Sequence, residues 1–370
     1  MKLFPTITIA IPTYNEAQSI EKVIQRFLKT KYSNAVEILV ADGGSTDGTQ
    51  LIVHQISSED SRVKLLHNPL KIQAAGLNLI LQHGDGEVFL RADAHSDYAP
   101  DYIERCVEAL LRSEAVNVGG AQRFVAKNAF QAGVALSSKT WLGNGGAKYR
   151  NPKYDGYADT AYLGCFWRKD LLNCSGYSSE AVNEDAELNI RLSNTTFALD
   201  QVTNQDSELN QRLEKQSSKA IYISSKICVW YYPRSTWKAL LIQYFKYGRG
   251  RFLTTTKHKK SSLRGRLPFL VISCTIALLM LDILTPQLDL PIEQCILLGV
   301  LLPFLESLRV TLEFNQSFSS EFWRGDSEEI PSFLSRWFFC GVSLLTMPIA
   351  HFLGYAYQLV RRNVFSVRDW

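Results

Sequence analysis

Short hydrophobic runs alternate with amphipathic segments over the first 120 residues of the chain. The runs are typical of buried strands, and we predict strands at Ile7–Ile11, Glu37–Ala41, Val63–His67 and Val88–Arg91. The segments that follow have apolar residues at helical spacing, and we predict helices at Ala17–Leu28, Thr49–Ile56, Ile72–Leu81 and Tyr98–Leu111. Strands that alternate with helices are typical of a parallel sheet covered on both faces. The pattern therefore predicts an α/β fold.

The pattern weakens in the middle of the chain and returns near residue 220. Gly119 to Asp159 is rich in glycine, asparagine and alanine and has poor periodicity, so we predict loops around an active-site cleft. Two late strands are predicted at Lys219–Ser224 and Ile227–Tyr232.

The last third of the chain contains long apolar segments. Leu267–Leu288 and Trp337–Val360 each approach the ~20 residues that cross ~30 Å of hydrocarbon. Gln294–Leu305, between Glu293 and Glu306, is shorter and is predicted to be interfacial or re-entrant. Buried helices of a soluble domain are the alternative for all three segments.

Basic residues flank these apolar segments. The sequence KHKKSSLRGR precedes the first, and Arg361, Arg362 and Arg368 follow the last. The positive-inside rule then predicts cytosolic ends on both sides, and hence two full spans in the cytoplasmic membrane. We expect residues 1–256 to form the catalytic domain, 257–266 a basic linker, 267–360 the membrane-associated helices and 361–370 a basic tail.

Net charge and cysteine content indicate which partners and which cellular compartment to expect. The net charge of the 370 residues is only +4, which gives no argument for a nucleic-acid partner. The seven cysteines are scattered without a CxxC pair, which favours a reduced compartment over a disulfide framework. The apolar run near the N-terminus is short and lies between Pro5 and Pro12, which is more typical of a buried strand than of a signal peptide. We therefore expect the catalytic domain to be cytosolic.

The first strand ends in Pro12-Thr13-Tyr14-Asn15-Glu16. A tyrosine at a strand end can stack on a base, and the Glu16 carboxylate can accept a hydrogen bond from a ribose hydroxyl or a base N–H. An ordinary helix start, with Asn15 as the cap, explains the same residues.

The second strand ends in Asp42-Gly43-Gly44-Ser45-Thr46-Asp47-Gly48-Thr49. Asp42 can hold a base or ribose, and the glycines permit close backbone approach. The segment is neither a P-loop nor a GxGxxG fingerprint. The alternative is a turn with a helix cap.

The strand that begins at Val88 ends in Arg91-Ala92-Asp93-Ala94-His95. Asp93 and His95 lie on the same side of an extended chain and can converge on a cation. An acid that binds Mg²⁺ or Mn²⁺ here would share the ion with substrate phosphates. The alternative is a solvated aspartate that caps the next turn.

These segments, with a later Asn-Glu-Asp, closely resemble the family-2 glycosyltransferases of GT-A fold. Within them, residues 5 to 255 resemble the membrane-anchored exopolysaccharide enzymes of the succinoglycan type. The resemblance implies a GT-A nucleotide-sugar-binding fold with a mainly parallel sheet, followed by transmembrane or interfacial helices. It implies that the donor is bound by the following residues: Pro12, Tyr14, Glu16, Asp42, Gly43 and Ala92, with support from Lys71 and Asn78. Asp93 and His95 match the family's metal motif, although the family usually has Asp-x-Asp.

The family's base is an acid in a Glu-Asp motif that opens a helix, and two segments match it. Asn183–Asn189 contains Glu184 and Asp185, and Asn204–Asn210, 21 residues later, repeats the pattern around Asp206. The base deprotonates the acceptor hydroxyl as it attacks the anomeric carbon, with inversion. We favour Asp185, because it keeps the full Glu-Asp pair, and retain Asp206 as the alternative.

Gln243 and Lys246 resemble the family's Gln-x-x-Arg-Trp position, with lysine in place of arginine and no tryptophan. The resemblance suggests contact with the acceptor or the donor diphosphate. A basic aromatic helix that lies on anionic headgroups is the alternative.

The sequence thus predicts inverting transfer of a hexose from a nucleotide sugar, with UDP-hexose favoured. The expected acceptor is a lipid-linked saccharide in exopolysaccharide biosynthesis. A polyprenyl-phosphate sugar synthase and a catalytically silent sensor of nucleotide sugars are the alternatives.

Overall fold

The structure, a computed structural model, describes residues 4–158, 160–173, 176–177, 221–258, 263–285 and 292–365. Glu184, Asp185 and Asp206 lie outside these residues. The chain divides into two compact units. The first unit contains the residues up to Arg123 and Lys148–Tyr231. The second unit contains Phe124–Ala147 and the residues from Tyr232 to Asp369. The predicted boundary after residue 256 therefore falls inside the second unit, within a helix that spans Trp237–His258.

The first unit begins with the predicted strand–helix series. Its strands are β1 (Ile7–Thr13), β2 (Val36–Asp42), β3 (Val63–His67) and β4 (Val88–Arg91). Its helices are α1 (Ile20–Leu28), α2 (Thr49–Glu59), α3 (Gln73–His83) and α4 (Tyr102–Ser113). The four strands are parallel in the order β3-β2-β1-β4, which confirms the α/β prediction.

Strand β1 is buried on both faces, as expected for the centre of such a sheet. Ile9 and Ile11 belong to the core cluster that contains Ile24 of α1, whereas Ala10 belongs to the cluster that contains Leu77 of α3. Consecutive side chains of a strand point to opposite faces, so one strand contributes to both clusters.

The sheet continues with antiparallel strands. These are β5 (Ser96–Tyr98), β6 (Asn117–Phe124), β7 (Gly156–Tyr157), β8 (Tyr162–Trp167) and β9 (Ile221–Tyr231). Strand β8 pairs with β4 and β6, and β9 pairs with β5 and β7. A short helix α5 (Ala129–Ser137) follows β6, α6 spans Trp141–Asn144, and α7 (Arg168–Asn173) follows β8.

The prediction of loops for Gly119 to Asp159 was wrong. The segment contains most of β6, and also α5, α6 and β7. Gly120 lies where a side chain would overlap the Ile227 carbonyl of β9, so glycine permits close strand packing there. Helix α5 is buried on nearly all sides, which explains its lack of amphipathic period.

Two other boundaries also differ from the predictions. Tyr98 ends strand β5, and the helix predicted to begin there starts at Tyr102, after Pro100. The two late strands are one strand, β9. Its polar interruption at Ser224 and Ser225 is explained by hydrogen bonds from both residues to the Asp155 carboxylate.

The second unit contains long helices in addition to α5 and α6. They are α8 (Trp237–His258), α9 (Leu263–Leu284), α10 (Ile292–Glu313) and α12 (Phe333–Asn363), with a short α11 (Phe318–Glu321). In the described part of the chain, two helices are long and apolar enough to cross a membrane, Leu267–Leu284 and Phe333–Asn363. These C-terminal helices agree with the two predicted spans.

The middle apolar segment is longer than predicted. Helix α10 continues past Glu306 to Glu313 and has 22 residues instead of a dozen. Arg309 pairs with Glu306 and Glu313 at 2.7 Å along the same helix face, so these charges stabilise the last turns instead of ending the helix.

Helices α8 and α12 pack closely through glycine. A side chain at Gly354 of α12 would overlap the Phe245 carbonyl oxygen, and one at Gly248 of α8 would overlap the His351 carbonyl oxygen. Small residues at these two points allow the two backbones to approach.

We therefore expect Gly354→Ala to destabilise the second unit by about 1–3 kcal/mol, because the added methyl group meets backbone atoms and not a flexible side chain. The measurement is the melting temperature of the detergent-solubilised protein. Gly299→Ala in α10 is the matched control, because nothing lies within 4 Å of its added carbon. Equal melting temperatures for the two variants would contradict this account of the packing.

Candidate active site

The carboxyl ends of β1, β2 and β4 meet at one edge of the sheet. In the register, Thr13 pairs with Asp42 and Ala10 pairs with Arg91. The Ala92 N–H continues the ladder by donating to the Ala10 carbonyl at 2.9 Å. The three segments that the sequence singled out therefore leave the sheet side by side, where parallel α/β sheets bind ligands.

The loops after β1 and β2 are joined by hydrogen bonds in both directions. The Asn15 N–H donates to Ser45 Oγ at 2.8 Å, and the Thr46 N–H donates to Asn15 Oδ1 at 2.9 Å. The Ala17 N–H donates to Asp47 at 3.0 Å. Hydrogen bonds from the Thr49 side chain and this backbone N–H lower the pKa of Asp47. Each loop thus supplies the polar partners that the other requires.

Asp42 organises the second loop. Its buried carboxylate accepts hydrogen bonds from the N–H groups of Gly44 and Ser45 at 2.8 and 2.9 Å, and from Gln50 Nε2 at 2.7 Å. The Ser45 hydroxyl donates to the other carboxylate oxygen. The geometry makes Asp42 a loop-shaping residue, and its predicted contact with a nucleotide stays a prediction.

Tyr14, Gly43 and Lys71 lie together on this edge. A Cβ added to Gly43 would be 3.4 Å from both Tyr14 Cδ2 and the Lys71 Cα, so the three residues are direct neighbours. Tyr14 is 40% exposed, as a ring that stacks on a base requires. Pro12 lies beneath, near Gly76 of α3, where an added Cβ would be 3.5 Å away.

Asp93 is fixed through its backbone by Tyr98. The Asp93 N–H donates to the Tyr98 hydroxyl at 2.7 Å, and this hydroxyl donates to the Asp93 carbonyl at 3.0 Å. Burial, and to a smaller extent the Asp93 charge, raises the pKa of Tyr98 well above its usual value, so the hydroxyl keeps its proton. The Asp93 carboxylate is 3.5 Å from the Arg91 guanidinium.

His95 lies against the first loop. Its Nδ1 is 3.1 Å from Glu16 Oε1, and the other Glu16 oxygen accepts from Ser19 Oγ at 2.9 Å. Glu16, predicted as a nucleotide contact, and His95, predicted as a metal ligand, are therefore partners of each other.

The donor set suits a hard divalent cation. The carboxylate of Asp93 is a ligand that both Mn²⁺ and Mg²⁺ accept, and the imidazole of His95, two residues later, favours Mn²⁺, because Mg²⁺ prefers oxygen ligands. Among the described residues no group of three or more metal-ligating side chains occurs. An ion here would therefore need oxygen ligands from a bound phosphate or water.

Asn78 was predicted to support the donor, and the structure gives its amide a different partner. Asn78 Nδ2 donates to the Tyr177 carbonyl at 2.8 Å, and Asn78 Oδ1 accepts from the Tyr177 N–H at 2.9 Å. The Tyr177 ring packs against Phe89 and Phe166, and the Arg91 guanidinium lies 5.9 Å from its centre. Tyr177 thus anchors the chain at the last described residue before the segment that contains Asp185.

Gln243 and Lys246 lie on α8 of the second unit. Gln243 Nε2 donates to the Tyr247 hydroxyl at 3.0 Å. The roles implied for Gln243 and Lys246 stay predictions, as do those of Glu184, Asp185 and Asp206 outside the described residues.

Sequence reasoning missed Tyr98 and Tyr177, which hold the backbone of the site without carrying its chemistry. Tyr98 was assigned to a helix, although the polar Ser96 and Asp97 before it and Pro100 after it indicate a separate short strand. Tyr177 follows Gly176, whose φ is +62°, and a glycine at this position is a turn signal that the sequence contains.

The sequence is similar to a known protein family and to individual known proteins. Residues 8–175 match the family model described as glycosyl transferase family 2. The succinoglycan biosynthesis protein ExoA of Rhizobium meliloti is 35% identical over 71% of this chain and 74% of its own length. A Methanococcus voltae dolichyl N-acetyl-alpha-D-glucosaminyl phosphate 3-beta-D-2,3-diacetamido-2,3-dideoxy-beta-D-glucuronosyltransferase is 26% identical over 68% of this chain and 74% of its own.

A solved structure shares the fold. The mannosyltransferase PcManGT from Pyrobaculum calidifontis, in complex with GDP-Man and Mn²⁺, superposes with a TM-score of 0.55 at 16% identity. The match covers 94% of this chain and 87% of that one. At this identity the likeness establishes the GT-A-like fold, as the sequence predicted.

We expect Tyr98→Phe to destabilise the protein by about 1–3 kcal/mol, because the buried Asp93 N–H loses its acceptor. The free energy of unfolding measures this loss. Tyr102→Phe is the matched control, since Tyr102 packs on Tyr98 with ring centres 4.9 Å apart and is equally buried. Its hydroxyl makes no hydrogen bond to oxygen or nitrogen in the described part of the chain, so its removal should change stability by less than about 1 kcal/mol. A larger loss for Tyr102→Phe would refute the role given to Tyr98.

Proposed function

Since the chain belongs to glycosyltransferase family 2, we propose that it transfers a hexose from a nucleotide sugar to a lipid-linked saccharide, with inversion at the anomeric carbon. Its family and its relatives make it a glycosyltransferase of exopolysaccharide or lipid-linked glycan biosynthesis. The single observation that supports the proposal is the shared sheet edge, where the loops after β1 and β2 lie near the segment that carries Asp93 and His95.

The donor is proposed to lie across this edge. Tyr14 offers an exposed ring to the base, Gly43 leaves space for close approach, and Lys71 offers a positive charge. UDP-hexose is proposed first, on the resemblance to succinoglycan-type enzymes. A GDP-sugar is the second choice, since a solved protein of the same fold holds GDP-Man.

A divalent cation at Asp93 and His95, Mn²⁺ or Mg²⁺, would neutralise the negative charge that develops on the leaving diphosphate. The chain's own contribution is to hold Asp93 in place through Tyr98 and to hold the two loops together. The acceptor hydroxyl must lose a proton as it attacks, and we propose Asp185 as the base, with Asp206 as the alternative.

The acceptor is proposed to arrive from the membrane. The C-terminal unit contains two helices suited to spanning a bilayer, and α8 carries Lys246 before the first of them. The name of the Methanococcus relative describes a sugar acceptor on dolichyl phosphate. We propose a two-span protein with its catalytic unit in the cytosol, because basic residues flank both spans.

Nucleotide binding is tested by a thermal-shift screen of UDP, GDP and ADP with and without Mn²⁺. A millimolar ligand with micromolar affinity stabilises the folded protein by about 4 kcal/mol, so a raised melting temperature with UDP plus Mn²⁺ is expected. ADP is the control. Stabilisation by none of the uridine or guanosine nucleotides would contradict the proposed donor site.

Transfer is tested with radiolabelled UDP- or GDP-sugars, Mn²⁺ and a lipid extract. We expect Asp185→Asn to lower turnover about 10²- to 10⁴-fold, because an amide cannot accept the acceptor's proton. Asp206→Asn is the paired variant and should retain activity. The reverse result would assign the base to Asp206, and a product that releases only a monosaccharide in mild acid would indicate a polyprenyl-phosphate sugar synthase.

A further inference from the structure

Glu16 and His95 lie 79 residues apart in sequence and meet at the candidate site. Glu16 Oε1 is 3.1 Å from His95 Nδ1. Glu16 is itself held at two other points, because Ser19 Oγ donates to its second carboxylate oxygen and its N–H donates to Thr49 Oγ1 at 2.8 Å. The carboxylate is therefore a fixed acceptor and not a mobile surface group.

This contact selects one form of the His95 ring. A neutral imidazole has one N–H and one lone pair, and a carboxylate next to Nδ1 favours the tautomer that carries its hydrogen on Nδ1 and donates it in a hydrogen bond. The lone pair then lies on Nε2, the nitrogen on the far side of the ring. Histidines that bind metal ions usually donate their other N–H to a carboxylate or carbonyl in this manner, which fixes the ring and makes it a stronger ligand.

Charge supports the same conclusion. Asp93 and His95 together supply one carboxylate. Glu16, in contact with the imidazole, places a second carboxylate close to the site. The edge of the Tyr231 ring, with its centre 6.2 Å from that of His95, further limits how the imidazole can turn.

We propose that Glu16 is a positioning residue that orients His95 toward a divalent cation through Nε2. This rests on the proposed function and changes the role predicted for Glu16, because its carboxylate acts on the histidine and not on the ribose or base. It also couples the loop after β1, which carries Tyr14, to the metal motif after β4.

The test measures Mn²⁺ affinity directly, by electron paramagnetic resonance of free Mn²⁺ with the full-length protein and saturating UDP. Glu16→Ala should weaken Mn²⁺ binding about 10- to 100-fold. Glu16→Gln should lose less, because its amide oxygen still accepts from Nδ1. Glu21→Ala is the matched control, because it removes an exposed carboxylate of the neighbouring helix α1 and should leave the affinity nearly unchanged.

A double-variant cycle separates positioning from direct nucleotide contact. His95→Ala should weaken Mn²⁺ binding, and adding Glu16→Ala should cause no further loss, since the two act through one ligand. The affinity for UDP in the presence of EDTA should be the same for Glu16→Ala and the wild type. Unliganded melting temperatures of all variants exclude unfolding as the cause.

Additive losses, an unchanged Mn²⁺ affinity in Glu16→Ala, or a loss of metal-free UDP binding in that variant would each overturn the inference. Failure of the wild type to bind Mn²⁺ in the presence of UDP would overturn it too. Failure of the wild type to bind either UDP or GDP would instead defeat the proposed function. The two failures are therefore distinguishable.

Discussion

The parallel register of β1 with β2 and β4 is the constraint on which the site depends. Because Thr13 pairs with Asp42 and Ala10 with Arg91, three segments distant in sequence leave the same edge of the sheet: β1 and β2 end level with each other, and β4 ends opposite Ala10 of β1. Burial of β1 on both faces fixes this register, since a slip of one residue would turn Ile9 and Ile11 away from α1 and place Ala10 there. The position of the site is thus a consequence of core packing.

The carboxylates at this edge illustrate how buried charge is used. Removal of a carboxylate from water is unfavourable unless hydrogen bonds replace the lost solvation. Asp42 meets this requirement with backbone N–H groups of its own loop, and the partly exposed Glu16 carboxylate is paired with Ser19 and His95. Both residues were expected to contact the donor. The structure gives each of them a role in holding other parts of the site, whereas the Tyr14 ring stays exposed beside Gly43.

The second unit follows a different packing rule. Its helices α8 and α12 approach through Gly248 and Gly354, where any side chain would meet the backbone of the other helix. Apolar side chains of α9 face outward, as expected for a helix surrounded by lipid. In the α/β unit, by contrast, the apolar residues are buried in two core clusters. This difference between the two units is consistent with a membrane-associated protein.

The sequence by itself determined the four parallel strands, the two long apolar segments and the polar loops that meet at the sheet edge, because period and turn chemistry are local properties of the chain. It did not determine β6 and α5, whose glycines and all-round burial have meaning only against neighbouring elements. It also did not determine the partners of Glu16, Asn78 and Tyr98. Each of these side chains can bond many groups, and only tertiary structure decides which group lies within 3 Å, since that distance depends on how distant strands and loops pack.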